Sequence, residues 1–188
     1  MVAFSLASCA AGPTVGTPST QPLAAVVTDL EGRPTDPFAD AAGRKATVLL
    51  FVADTCPIAN AYAPEIRRLH EAYGTQGVAF YLVYPDPDLS APDARQHHGE
   101  YGFGCPAVLD PKHALVRRAD ATTTPDAAVF TADGRRVYLG RIDNRWMAYA
   151  RARRVVTTHD LRDVLDAVAG DRPVAPRTTK AVGCPIPS

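Results

Sequence analysis

The sequence has no excess of charge of either sign: twenty basic and twenty acidic residues cancel to a net charge of zero. No global field therefore recruits nucleic acid or an anionic membrane. Long hydrophobic runs are missing too, and no stretch is long enough to span a bilayer. The four cysteines, Cys9, Cys56, Cys105 and Cys184, are too few and too scattered for a disulfide framework, and no CxxC pair marks a zinc site. There is no internal repeat, and 188 residues are too few for two comfortable domains. What is left is one well-cored domain with tails, at an ordinary 46% hydrophobic and 21% charged.

The tails differ in kind. Leu6-Ala7-Ser8-Cys9 resembles the box cleaved from bacterial lipoproteins, with Cys9 as the lipidated residue. The Ala-, Gly-, Pro-, Thr- and Ser-rich stretch to Pro22 then reads as a flexible tether. We expect a tether over 1–22, a domain over 23–170, and an extended proline-rich arm over 171–188. Arg151, Arg153 and Arg154 form a basic cluster that reads as a solvated face.

Within the domain, the apolar run Ala46–Ala53 predicts a buried strand, and the spacing of Ile58, Tyr62, Ile66, Leu69 and Tyr73 predicts a helix from Pro57 to Tyr73, kinked at Pro64. A strand over Val78–Tyr84, helices over Ala91–Tyr101 and Pro111–Ala119, a hairpin around Ala132-Asp133-Gly134 and a helix closing at Gly170 follow. That order fits a thioredoxin-like three-layer α/β/α sandwich with a central mixed sheet, among other α/β folds. Cys56 falls at the junction of strand and helix, where unpaired N–H groups favour the thiolate. Asp54 neighbours it as a candidate proton relay. Thr124-Pro125 precedes the hairpin, where a cis-proline has structural meaning.

Four blocks in order carry a longer resemblance: Cys56-Pro57-Ile58-Ala59-Asn60, Thr124-Pro125-Asp126, Gly140-Arg141-Ile142-Asp143-Asn144-Arg145, and Gly183-Cys184-Pro185. Together they are similar to bacterial redoxin-domain proteins of the thioredoxin-like, peroxiredoxin-like (alkyl hydroperoxide reductase–thiol-specific antioxidant) superfamily. The resemblance implies a thiol oxidoreductase, for which we expect no cofactor; the Leu6-Ala7-Ser8-Cys9 box would tether it on the periplasmic side of the cell envelope. Its partners would be a protein disulfide or peroxide and a thiol electron donor.

Cys56 takes the nucleophile's place, and Thr124-Pro125 the loop that shapes the docking groove, where the Thr124 backbone pairs with an extended substrate. The departures are specific. Ala59 stands where a thioredoxin has its resolving cysteine, Ala53 and Leu49 where a peroxiredoxin has Thr and Pro, and Asn60 where a copper chaperone has its second Cys. Disulfide exchange therefore ranks above peroxide reduction. A copper-binding module using His97, His98 or His113 is the rival from another class. A resolving thiol must come from elsewhere. Cys184 is the first candidate because its arm can fold back and Gly183 permits close approach; Cys105 is the second.

Overall fold

The computed structural model describes residues 25–187. Cys9 and the expected tether lie outside them. A short hairpin, β1 (Val27–Asp29) and β2 (Pro34–Thr35), leads to a one-turn helix, α1 (Pro37–Asp40), capped by the Asp36 carboxylate. Strand β3 (Ala46–Phe51) is buried at every position. Helices α2 (Pro57–Ala61) and α3 (Ala63–Gly74) connect it to β4 (Val78–Tyr84). A second crossover runs through α4 (Ala91–Tyr101) to β5 (Ala107–Leu109), and α5 (Ala114–Ala119) follows. Beyond the short β6 (Thr123–Thr124) come two hairpins: β7 (Asp126–Thr131) with β8 (Arg136–Gly140), and β9 (Trp146–Ala148) with β10 (Arg151–Ala152). Helix α6 (Asp160–Ala169) precedes the last strands, β11 (Arg177–Thr178) and β12 (Cys184–Pro185).

Eight strands form one sheet in the order β11-β8-β7-β3-β4-β5-β1-β2. It is mixed: β3, β4 and β5 run parallel, and β7 returns antiparallel beside β3. Alternation along β3 sends Val48 and Leu50 to one face, against Ile58, Ile66 and Leu69 of α2 and α3 and Leu161 and Leu165 of α6. Leu49 and Phe51 point the other way, onto Leu115 and Ala119 of α5. The result is the expected thioredoxin-like three-layer sandwich. Truncating any of these fully buried leucines to Ala should cost about 2–5 kcal/mol.

Two expectations need correction. The helix from Pro57 is two helices, not one kinked at Pro64. It breaks at Tyr62 (φ −88°, ψ −6°), and Pro64 lies in the first turn of α3, where its missing N–H has no partner to lose. The helix expected from Pro111 begins only at Ala114, because the Asp110 carboxylate accepts from the N–H groups of Ala114, Leu115 and Val116. The C-terminal arm folds back onto the domain. Its β11 adds an edge strand parallel to β8, and β12 pairs antiparallel with β6. Among the described residues no helix is long and apolar enough to cross a membrane.

Candidate active site

Cys56 lies just beyond the C-terminal end of β3 and caps α2 in an extended conformation (φ −88°, ψ 106°). Its side chain is fully buried. As a thiol it donates to the Thr124 carbonyl oxygen at 3.3 Å. The Thr124–Pro125 bond is cis, the isomer expected from the sequence. Asp126 secures this loop, its buried carboxylate accepting from the N–H groups of Thr122 and Thr123, both at 3.0 Å. Burial raises the Asp126 pKa above the usual carboxylate value, against those two hydrogen bonds.

The arm closes the site. Cys184 pairs opposite Thr124 in the β12–β6 register. The Thr124 hydroxyl donates to the Cys184 carbonyl at 3.3 Å, and the Ile186 N–H to the Thr122 carbonyl at 3.0 Å. Gly183 permits this approach: a Cβ there would lie 2.7 Å from the Thr124 carbonyl carbon and closer still to its oxygen.

The two thiols are coupled. Burial alone pushes the Cys56 pKa up, but hydrogen bonds from the Cys184 thiol, the Ala59 N–H and the Cys184 N–H outweigh it and hold Cys56 below its ordinary value. Burial and the same bond push Cys184 up to about 11. The lowered pKa thus falls on Cys56 and the raised one on Cys184. Cys105 is buried in the loop before β5, its pKa pushed by burial to about 12, and Cys56 has no part in that shift.

Asp54 gives the site its backbone carbonyl, which accepts from Asn60 Nδ2 at 2.8 Å. Among the described residues its carboxylate makes no hydrogen bond or ion pair; it lines a separate hollow with His97, Asp93 and Glu100. His97 of α4 is buried. Because Asn60 donates through nitrogen, its oxygen faces His97, which donates from Nε2 at 2.9 Å and accepts at Nδ1 from the Tyr84 hydroxyl at 2.8 Å. Chain and side chain thus tie the Cys56 loop to β4. His98 Nε2 meets the Cys105 carbonyl and His113 Nε2 the Pro85 carbonyl. Among the described residues no three His, Cys, Asp or Glu groups converge to hold a metal ion.

The sequence profile of the Redoxin family matches residues 16–154. The chain belongs to the redoxin family. No curated protein matches it. Among solved structures it is similar to an uncharacterized conserved protein from Geobacillus kaustophilus, at 26% identity and TM-score 0.76, covering 89% of this chain and 92% of that one. A hypothetical protein, SMc02350, from Sinorhizobium meliloti 1021 matches at 24% and 0.73, covering 87% and 90%. A secreted Mycobacterium tuberculosis disulfide oxidoreductase homologous to E. coli DsbE matches at 19% and 0.55, covering 79% and 96%.

The structure of this redoxin therefore brings Cys56, Thr124, Pro125 and Cys184 together and leaves Cys105 and the Asp54 carboxylate out of that contact. One expectation changes. The Thr124 edge expected to receive substrate is already occupied by β12. Sequence reasoning missed Asp126 and the Asn60–His97–Tyr84 chain. The usable signal for His97 was its place three residues after Ala94, on the stripe that α4 buries. The Gly140–Arg145 block ties neighbouring elements together. Arg141 pairs with Asp160 at 2.7 Å, and Asp143 accepts from the Tyr62 hydroxyl at 2.6 Å.

Proposed function

We propose that this redoxin is a thiol:disulfide oxidoreductase in which Cys56 is the nucleophile and Cys184 the resolving thiol. The observation that carries the reading is the seating of Cys184 opposite Thr124, whose carbonyl accepts from the Cys56 thiol, with the pKa lowered at Cys56 and raised at Cys184. The Cys56 thiolate attacks a substrate disulfide, forming a mixed disulfide and releasing one substrate thiolate. Cys184 then attacks Cys56 in that bond, the second substrate thiolate leaves, and the enzyme keeps a Cys56–Cys184 disulfide. A thiol donor restores the dithiol. Because Cys56 is fully covered and β12 occupies the Thr124 edge, the arm lifts to admit a protein substrate, whose strand then takes that edge beside Pro125.

Peroxide reduction is the second reading, and Ala53 and Leu49, both buried, offer no hydroxyl or ring to position a peroxide. The copper-carrier reading has less support, since His97, His98 and His113 already hold protein partners. Asp54 remains the candidate proton relay, acting through solvent in its hollow rather than by direct contact. An envelope location with a lipid on Cys9 completes the proposal. The test is mass spectrometry of Cys184→Ser after exposure to a disulfide substrate. We expect a trapped adduct on Cys56 and lost turnover, with Cys105→Ser nearly unchanged. Normal turnover by Cys184→Ser sinks the assignment.

A further inference from the structure

Beside the arm, a cleft of about 780 Å³ opens between the β9–β10 hairpin and residues 180–185. Trp146, Met147 and Tyr149 form its apolar side; Met147 is 41% and Tyr149 65% exposed, far more than folding alone requires. Arg153 and Lys180 line the rim, and no Asp or Glu does. The hairpin adds Arg151 and Arg154. Among the described residues, none of these four cations has a carboxylate partner. In a chain of zero net charge, this is a concentrated positive face. Gly183 and Pro185, the two neighbours of Cys184, form part of the wall.

We propose that this cleft docks the electron donor, a protein dithiol carried on an acidic segment. The inference rests on the thiol-exchange reading above. A concave surface suits a polypeptide segment better than a flat lipid face. Apolar contacts would hold the segment while the cations select its charge. Docking there sets the donor against the strand that carries Cys184, which is only half-buried where Cys56 is fully buried. The donor thiolate attacks Cys184, forming a donor–Cys184 disulfide, and Cys56 leaves as the thiolate, the better leaving group because of its lower pKa. The donor's second thiol then attacks its own first sulfur and releases Cys184 as thiolate, which takes up a proton. The donor ends oxidised and the enzyme reduced, with the arm in place throughout.

The test uses the oxidised full-length chain and two dithiol peptides of equal length, one Glu-rich and one Lys-rich, with uncharged dithiothreitol as the reference for each variant. At low salt the acidic peptide should reduce the protein roughly tenfold faster than the basic one, relative to dithiothreitol. The ratio should collapse in high salt and invert in Arg151→Glu/Arg153→Glu/Lys180→Glu. Equal rates for the two peptides, or a ratio unmoved by charge reversal, overturn the proposal. Trp146, the sole tryptophan, gives a second readout free of thiol chemistry. Its fluorescence should respond to Cys→Ser versions of the acidic peptide only. That arm still decides the docking claim if no Cys56–Cys184 disulfide forms and the exchange reading fails. Binding to phosphatidylserine vesicles with no fluorescence response to the peptide makes the face a lipid surface and overturns the proposal.

Discussion

Replacing Gly183 by Ala should expose Cys56 without unfolding the protein. The added Cβ would lie 2.7 Å from the Thr124 carbonyl carbon and 3.2 Å from Pro125 Cδ. Carbon atoms normally rest about 3.5–4.0 Å apart, so the arm must retreat by about 1 Å. Hydrogen bonds of 3.0 and 3.3 Å, from Ile186 N–H and the Thr124 hydroxyl, then stretch beyond useful range. Losing two of them weakens docking by about 2 kcal/mol. Labelling of a covered thiol proceeds through local opening, so 2 kcal/mol becomes a roughly thirtyfold faster reaction.

The assay is iodoacetamide labelling read peptide by peptide in a mass spectrometer. It is run above the ordinary thiol pKa of about 8.5, where Cys56 is thiolate in both proteins and only access differs. The same 2 kcal/mol is lost from the stability of the whole fold, so the unfolding midpoint should fall by roughly 4–8 °C while β11 stays paired with β8 and the protein stays folded. A change below about twofold, or a wild-type Cys56 that labels as fast as a free peptide, refutes the idea that the arm covers the thiol.

Cys184→Ala removes the strongest hydrogen bond lowering the Cys56 pKa while leaving the arm's backbone in place. The midpoint of the Cys56 alkylation–pH profile should rise, and an unmoved midpoint would deny the coupling. Burial lowers the His97 pKa below its ordinary value. Below about pH 6.5 the unfolded chain therefore takes up the proton first, and the wild type loses stability as pH falls. His97→Gln, measured by urea unfolding across that range, should show a smaller acid-dependent loss, the remainder belonging to His70, whose pKa burial also lowers; a wild-type curve that is flat there removes the argument. If Leu6-Ala7-Ser8-Cys9 is a lipidation box, expression with its export signal should give a membrane-bound product carrying a palmitate analogue, and Cys9→Ser should lose the label.

Where a pattern was long or its ends chemically marked, the sequence predicted the element closely. The apolar run Val78–Tyr84 is β4, and α4 runs from its Ser90 cap to Gly102 in the left-handed region (φ 59°). The shortest strands were not visible. β5 has three residues and β11 two, too few for any period to show, and tertiary pairing alone defines them. Within the site, Cys56 and Pro125 stood out because strand-to-helix and loop-to-hairpin junctions are local features. Asp126 did not, because a buried carboxylate that serves two N–H groups looks like an ordinary turn residue after proline. His97 did not stand out either, because adjacent histidines look alike in sequence, while only one of the pair lies on the buried stripe.

The separation of the two cysteines has a consequence for redox poise. The stability of a disulfide relative to its dithiol depends on the effective concentration of one thiol at the other. Two cysteines on one helical turn have that concentration fixed by the helix. Here they lie more than a hundred residues apart, and only the seating of β12 on β6 brings them together. A reduced arm can escape a clash by lifting; an oxidised arm, tied to Cys56, cannot. Weakening the docked arm therefore destabilises the disulfide more than the dithiol. For Gly183→Ala, the thirtyfold weakening makes the couple more oxidising by up to about 45 mV for two electrons. Equilibration with glutathione should show that shift, and an unchanged potential would mean that something other than the arm's backbone pairing holds Cys184 at Cys56.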